Sequence, residues 1–171
     1  IKESASLLVE SEKPIMIVGD RASDDHAVNE AIELAELLGL PVYQSRGAEV
    51  AFPTTHPQFM GNLSLRVADH REILKRVDLV LTVGMDTFEE LFYWGDPILN
   101  QDVKLIHIDP VPGKVGKSEP VSVGIISHCK LALNELIKTV KPLLNDKSNE
   151  IISKIKNTIS KEFEESQKTY E

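Results

Sequence analysis

The stretch from Ile15 to Tyr43, IMIVGDRASDDHAVNEAIELAELLGLPVY, changes its apolar period twice. Ile15-Met16-Ile17-Val18 is a continuous apolar run closed by Gly19-Asp20, which reads as a strand buried on both faces. Ser23 or Asp24 then offers an N-cap, and Ala27, Val28, Ala31, Ile32, Leu34, Ala35, Leu37 and Leu38 recur at helical spacing up to Gly39. Pro41-Val42-Tyr43 opens a second strand. Two parallel strands joined by a helix form a right-handed crossover, the unit from which layered α/β sheets are built.

Working outward, residues 3 to 11 carry apolar side chains at helical spacing before Lys13-Pro14 interrupts them. Gln44 to Ser64 has scattered Gly, Pro and His and no sustained period, so it reads as an irregular excursion with at most one helical turn. The alternation resumes with a helix over Val67 to Lys75 and strands over Asp78 to Val83, Val103 to Ile108 and Val121 to Ile126, after which Ser127 caps a helix through Val140. The pattern predicts an α/β, doubly wound, Rossmann-like fold: a mostly parallel sheet of five or six strands with helices on both faces.

Residues 1–141 read as this domain and 142–171 as a polar linker and an amphipathic helix. Ile151, Ile152, Ile155, Ile159 and Phe163 make an apolar stripe on that helix, suited to a further domain, a second subunit or the domain's own surface. The chain opens on Ile within a helical pattern, as a piece of a longer protein would.

Acidic residues outnumber basic ones by 27 to 19, a net charge of −8, with no basic stripe to neutralise phosphates, which argues against a nucleic-acid partner. No apolar run reaches the roughly 20 residues that span a bilayer. Cys129 is the sole cysteine, so no internal disulfide forms, and the cytoplasm is the expected compartment.

The search for chemistry yields no catalytic or metal-binding residue. Gly113 to Ser118 ends like a phosphate-binding loop, but Val111 stands where its first glycine belongs, and Glu119-Pro120 leads into a strand rather than a helix. The turn Gly19-Asp20-Arg21-Ala22 lacks the glycines of a dinucleotide fingerprint. Histidines at 26, 56, 70, 107 and 128 have no helical metal spacing. Asp24-Asp25 suits helix capping, His107 suits the interior of a strand, Cys129 suits a buried thiol, and Glu89-Glu90 point different ways on a helix.

Five strings in order carry a resemblance. They are Lys13 to Asp20; Glu33 to Val42; Phe52-Pro53-Thr54-Thr55-His56-Pro57-Gln58-Phe59-Met60-Gly61; Asp78 to Gly84; and Lys104 to Asp109. Together they resemble the central domain of thiamine-diphosphate enzymes, the family of pyruvate oxidase, acetolactate synthase and benzoylformate decarboxylase. The second glycine of the family's first turn is Arg21 here.

The resemblance implies a three-domain enzyme acting on 2-oxo acids. Its activating glutamate would lie in the first domain and its Mg2+ and diphosphate ligands in the third, with the middle domain a non-catalytic scaffold of a homo-oligomer. Some members bind FAD or ADP in this domain, and FAD binders show a basic "GxRFDDR" string where this chain has Gly84-Met85-Asp86-Thr87-Phe88-Glu89-Glu90. That acidic stretch, with Phe92-Tyr93-Trp94, looks more like the benzoylformate decarboxylase branch. If a nucleotide binds, the switch point predicts contacts from Gly19, Asp20, Arg21, Arg46, Gly84, Met85 and Asp109; otherwise these are loops at strand ends.

Overall fold

Pro14–Val18 (β1) and Leu79–Val83 (β4) are buried along their whole length and lie side by side, with Met16 opposite Leu81. Their unbroken apolar character is what a strand covered on both faces requires. The computed structural model describes residues 1–45, 50–63, 67–86 and 98–169, with 67–70 and 162–169 by backbone only. Helices Lys2–Glu10 (α1), Asp20–Asp24 (α2) and Val28–Leu38 (α3) accompany strands β1 and Val42–Gln44 (β2). Phe59–Asn62 (β3) and Val67–Leu74 (α4) precede β4; Lys104–Asp109 (β5), Val123–Ile126 (β6), Cys129–Val140 (α5) and Asp146–Thr169 (α6) follow it.

The described strands form one parallel sheet in the order β3-β2-β1-β4-β5-β6. Side chains alternate across it with period two. Met16, Val18, Leu81, Val83, Ile106 and Ile108 face the layer of α1, α3 and α5, with Leu8, Leu34 and Leu133 in the same cluster. Ile15, Ile17, Val80 and Leu105 face the opposite side, where Leu74 of α4 meets them with Leu63, Met85 and Leu99. Each fully buried Leu or Ile contributes about 1.5–3 kcal/mol relative to exposure.

Three local expectations are corrected. Ser23 and Asp24 do not cap α3; they lie inside α2, and Ala27 precedes α3 with no side-chain cap. Ser127 does not cap α5, whose first free N–H, on Cys129, instead donates to Asp25 Oδ2 at 2.6 Å. The excursion from Gln44 contains a strand: β3 pairs with β2 through a register irregularity at Val42 and Tyr43. Phe59-Met60-Gly61-Asn62 escaped reading because it has no β-branched residue and a glycine inside it.

Helix α6 opens with a reciprocal cap. Asn145 N–H donates to Ser148 Oγ at 2.8 Å, and Ser148 N–H donates to Asn145 Oδ1 at 3.1 Å. Of the apolar stripe, Ile152 packs on the main core and Ile159 is 3% exposed. The Phe163 side chain lies outside the described residues. Gly39 ends α3 in the left-handed region, and a Cβ there would lie 3.2 Å from Ile152 O, so this turn also lets α6 approach.

Candidate functional site

The order of the strands reverses at β1, whose neighbours are β2 on one side and β4 on the other. In open α/β sheets ligands settle outside the carboxyl ends at such a point. Gly19, Asp20, Arg21, Gly84, Met85 and Asp109 lie at those ends. Arg46 lies outside the described residues, as do Gly47, Thr87 to Glu90 and Phe92 to Trp94.

Arg21 fills the crevice. Its Nε donates to Asp109 Oδ1 and Oδ2 at 3.1 and 3.0 Å, and its Nη2 donates to Asp109 Oδ2 at 2.7 Å and to Asp86 Oδ1 at 2.9 Å. Lys114 Nζ closes the chain of charges on Asp86 Oδ2 at 2.8 Å. The Asp109 side chain is fully buried, and its Oδ1 also accepts the Val111 N–H at 2.9 Å. His107 Nε2, equally buried, lies 3.8 Å from Asp109 Oδ2.

Burial works against every charge here, and the partners outweigh it. The Asp109 carboxyl is held below its usual range by the neighbouring His107 and by hydrogen bonds from Arg21 and the Val111 N–H. Lys114 and Arg21 do the same for Asp86. Arg21 is held above its ordinary value, mainly through its hydrogen bond to Asp109.

The glycines serve close packing between loops. A Cβ on Gly19 would fall 2.5 Å from Met85 Cβ, and one on Gly84, at φ +63°, would fall 2.3 Å from Ala22 N. Backbone donors are taken up as well: Gly19 N–H by Val83 O, Arg21 N–H by Gly84 O, Ala22 N–H by Gly19 O and Gly84 N–H by Ile108 O, at 2.8 to 3.1 Å. Of these, the Arg21 and Ala22 N–H groups lie in the turn at the start of α2, where a dinucleotide turn would present donors to a pyrophosphate.

The remaining candidates are structural. Pro112–Lys114 is a single 3-10 turn with β6 as the next regular element, so Gly113 to Ser118 does not lead into a helix N-terminus. Cys129 is buried, and burial with the nearby Asp25 pushes its thiol well above the ordinary range. Phe52, fully buried, meets the His56 ring edge-on at 5.1 Å, while His56 Nε2 lies 3.3 Å from Glu36 Oε1. Gln58 Nε2 donates to Ala35 O at 2.7 Å and Leu40 O at 2.9 Å, tying the Phe52 to Gly61 string to the end of α3.

Sequence reasoning passed over Asp86, Lys114 and Gln58. The available signal was the charge of Asp86 two residues after a strand-ending glycine, the position next to any ligand at the switch point.

A profile described as "Thiamine pyrophosphate enzyme, central domain" matches residues 1–136. The chain belongs to this family. Among its relatives, this central domain is 31% identical over 149 residues to a sulfoacetaldehyde acetyltransferase of Roseovarius nubinhibens, covering 85% of the chain and 24% of the relative. It is 30% identical over 142 residues to an acetolactate synthase of Mycobacterium bovis, covering 82% and 23%. The solved thiamine diphosphate-dependent 4-hydroxybenzoylformate decarboxylase of Rhodococcus jostii superposes with a TM-score of 0.73 at 30% identity, covering 84% of the chain and 27% of that structure. The central domain thus spans about a quarter of the length of the relatives it matches.

The donor set at the switch point does not fit a magnesium diphosphate. Asp86 faces Arg21 and Lys114, Asp109 faces Arg21, and the Arg21 and Ala22 N–H groups already face carbonyls. Among the described residues no three His, Cys, Asp or Glu side chains cluster to hold a metal, and no helix is long and apolar enough to cross a membrane. An FAD-binding reading is not favoured on the same geometry.

Proposed function

We propose that this chain is the supporting middle layer of a thiamine-diphosphate-dependent enzyme that decarboxylates or carboligates 2-oxo acids, with the Mg2+ and diphosphate ligands supplied by polypeptide on either side. The observation that carries the reading is the Arg21 fork on Asp109, which fills the crevice where a Rossmann-like domain holds its ligand. Such a layer contributes shape: it spaces the flanking domains and presents surfaces for self-association in a homo-oligomer. The thiazolium of the cofactor supplies the electron sink when bound elsewhere in the enzyme.

The test compares the 171-residue chain with the same chain carrying its natural flanking sequence. Thiamine diphosphate with Mg2+, FAD and ADP are each titrated while melting temperature is followed, because a ligand that binds only the folded state raises it. The chain alone should show no shift, and the longer protein should gain a shift with thiamine diphosphate and consume a 2-oxo acid. Turnover by the chain alone, or a longer protein indifferent to thiamine diphosphate, would refute the proposal.

A further inference from the structure

At the opposite, amino-terminal end of β1 and β2, a cavity of about 600 Å³ lies between α4 and α6. It opens to solvent, and ligand pockets run to roughly 300–1,000 Å³. Its walls are mainly apolar: Ile15, Pro41, Met60, Ile73, Ile155 and Ile159 line it, with Tyr43 beside them. Met60 adds an adaptable thioether that fits irregular apolar guests.

Charge is added by Glu12, Lys13, Glu72, Arg76 and Lys154. Two of these are engaged on their own helices: Glu72 pairs with Lys75 at 2.6 Å, and Lys154 pairs with Glu150 at 2.7 Å. Lys13 and Arg76 are both exposed, and Arg76 lies close enough to Glu72 to help Lys75 hold that carboxyl below its usual range. Two exposed cations therefore stand beside an apolar cleft, and the Glu72 carboxylate near Arg76 pairs more tightly with Lys75, at 2.6 Å.

We propose that this cavity binds an organic carboxylate with an apolar body, the body between α4 and α6 and the carboxylate on Arg76 and Lys13. A guanidinium matches the two oxygens of a carboxylate, and Lys13 adds a second positive charge. The site lies at the opposite ends of the strands from the switch point.

Isothermal titration of the 171-residue chain with octanoate, and separately with octanol, tests it. Octanoate should bind at least about tenfold more tightly than octanol, the difference made by a charge-assisted hydrogen bond. The double variant Lys13→Glu, Arg76→Glu should weaken octanoate by about tenfold or more and leave octanol within about twofold. Ile155→Trp, which fills the chamber, should abolish both; if circular dichroism shows it misfolded, the charge variant decides alone. No heat with octanoate, equal binding of acid and alcohol, or a double variant that binds octanoate as well as the parent would each overturn the site.

Discussion

Arg21 and Asp109, 88 residues apart, meet at 2.7 Å across the carboxyl ends of β1 and β5, the arginine partly exposed and the aspartate side chain fully buried. Removing the cation alone leaves a carboxylate buried without its partner, which costs about 3–5 kcal/mol. Arg21→Ala is therefore expected to lower the melting temperature by roughly 10 °C, taking about 2–4 °C per kcal/mol for a chain of this size. Arg21→Lys should recover only part of this, because an ammonium does not reproduce the fork. Differential scanning calorimetry of the two variants decides the ranking, and an Arg21→Ala protein as stable as the parent would remove the pair from the account.

Acid should dismantle the same cluster. Asp109 and Asp86 both have folded pKa values below their ordinary one, so the folded state binds fewer protons than the unfolded chain as pH falls. Their contribution is present above the unfolded pKa, about 3.9, and is lost as pH drops through the lower folded values. Urea midpoints should be flat from about pH 7 to 5 and decline below about pH 4. Asp86→Asn should lower the plateau and soften that decline; a decline of unchanged depth would mean that other carboxylates drive it.

Two glycines with positive φ separate backbone strain from collision. Gly61, at φ +109°, has nothing within 4 Å of the place a Cβ would occupy, whereas Gly84, at φ +63°, would put its Cβ 2.3 Å from Ala22 N. Gly61→Ala should cost about 1–2 kcal/mol from conformation alone, and Gly84→Ala about 3 kcal/mol or more, because the Gly19 to Ala22 turn must also move. Chemical denaturation of both proteins measures the gap, and similar losses would show that the loops separate easily.

Asp25 should behave as a helix cap although 104 residues separate it from the N–H it accepts. Asp25→Ala is expected to destabilise by about 1–2 kcal/mol, the usual loss for a capping carboxylate, while Ser127→Ala should stay within about 0.5 kcal/mol. Equal effects from the two substitutions in urea melts would restore Ser127 as the cap.

The parts of the fold that could be read were those in which local pattern and tertiary role agree. Ile15 to Val18 and Leu79 to Val83 are apolar throughout because both faces of their strands are covered, and Gly39 ends α3 because only the left-handed region turns the chain there. β3 was hidden because its short sequence has no strand character by itself and pairs only once β2 is in place. α2 was hidden because it is a single short turn set off from α3 by His26 at φ 53°.

At the switch point, position at a strand end was legible for Gly19, Gly84 and Asp109, whereas the part played by Asp86 and Lys114 was not. Side-chain orientation could not be read, since whether Arg21 faces outward to an anion or inward to Asp109 depends on a strand distant in the chain. The Asp25 cap and the Gln58 clamp were hidden for the same reason: each joins segments that no local window contains.

The closed crevice also acts as a filter. Replacing Arg21 by glycine would free the turn, yet it would leave the Asp86 and Asp109 carboxylates facing any incoming phosphate. Opening the door thus exposes the very charges that turn an anion away, so emptying this corner is not the same as making it hospitable.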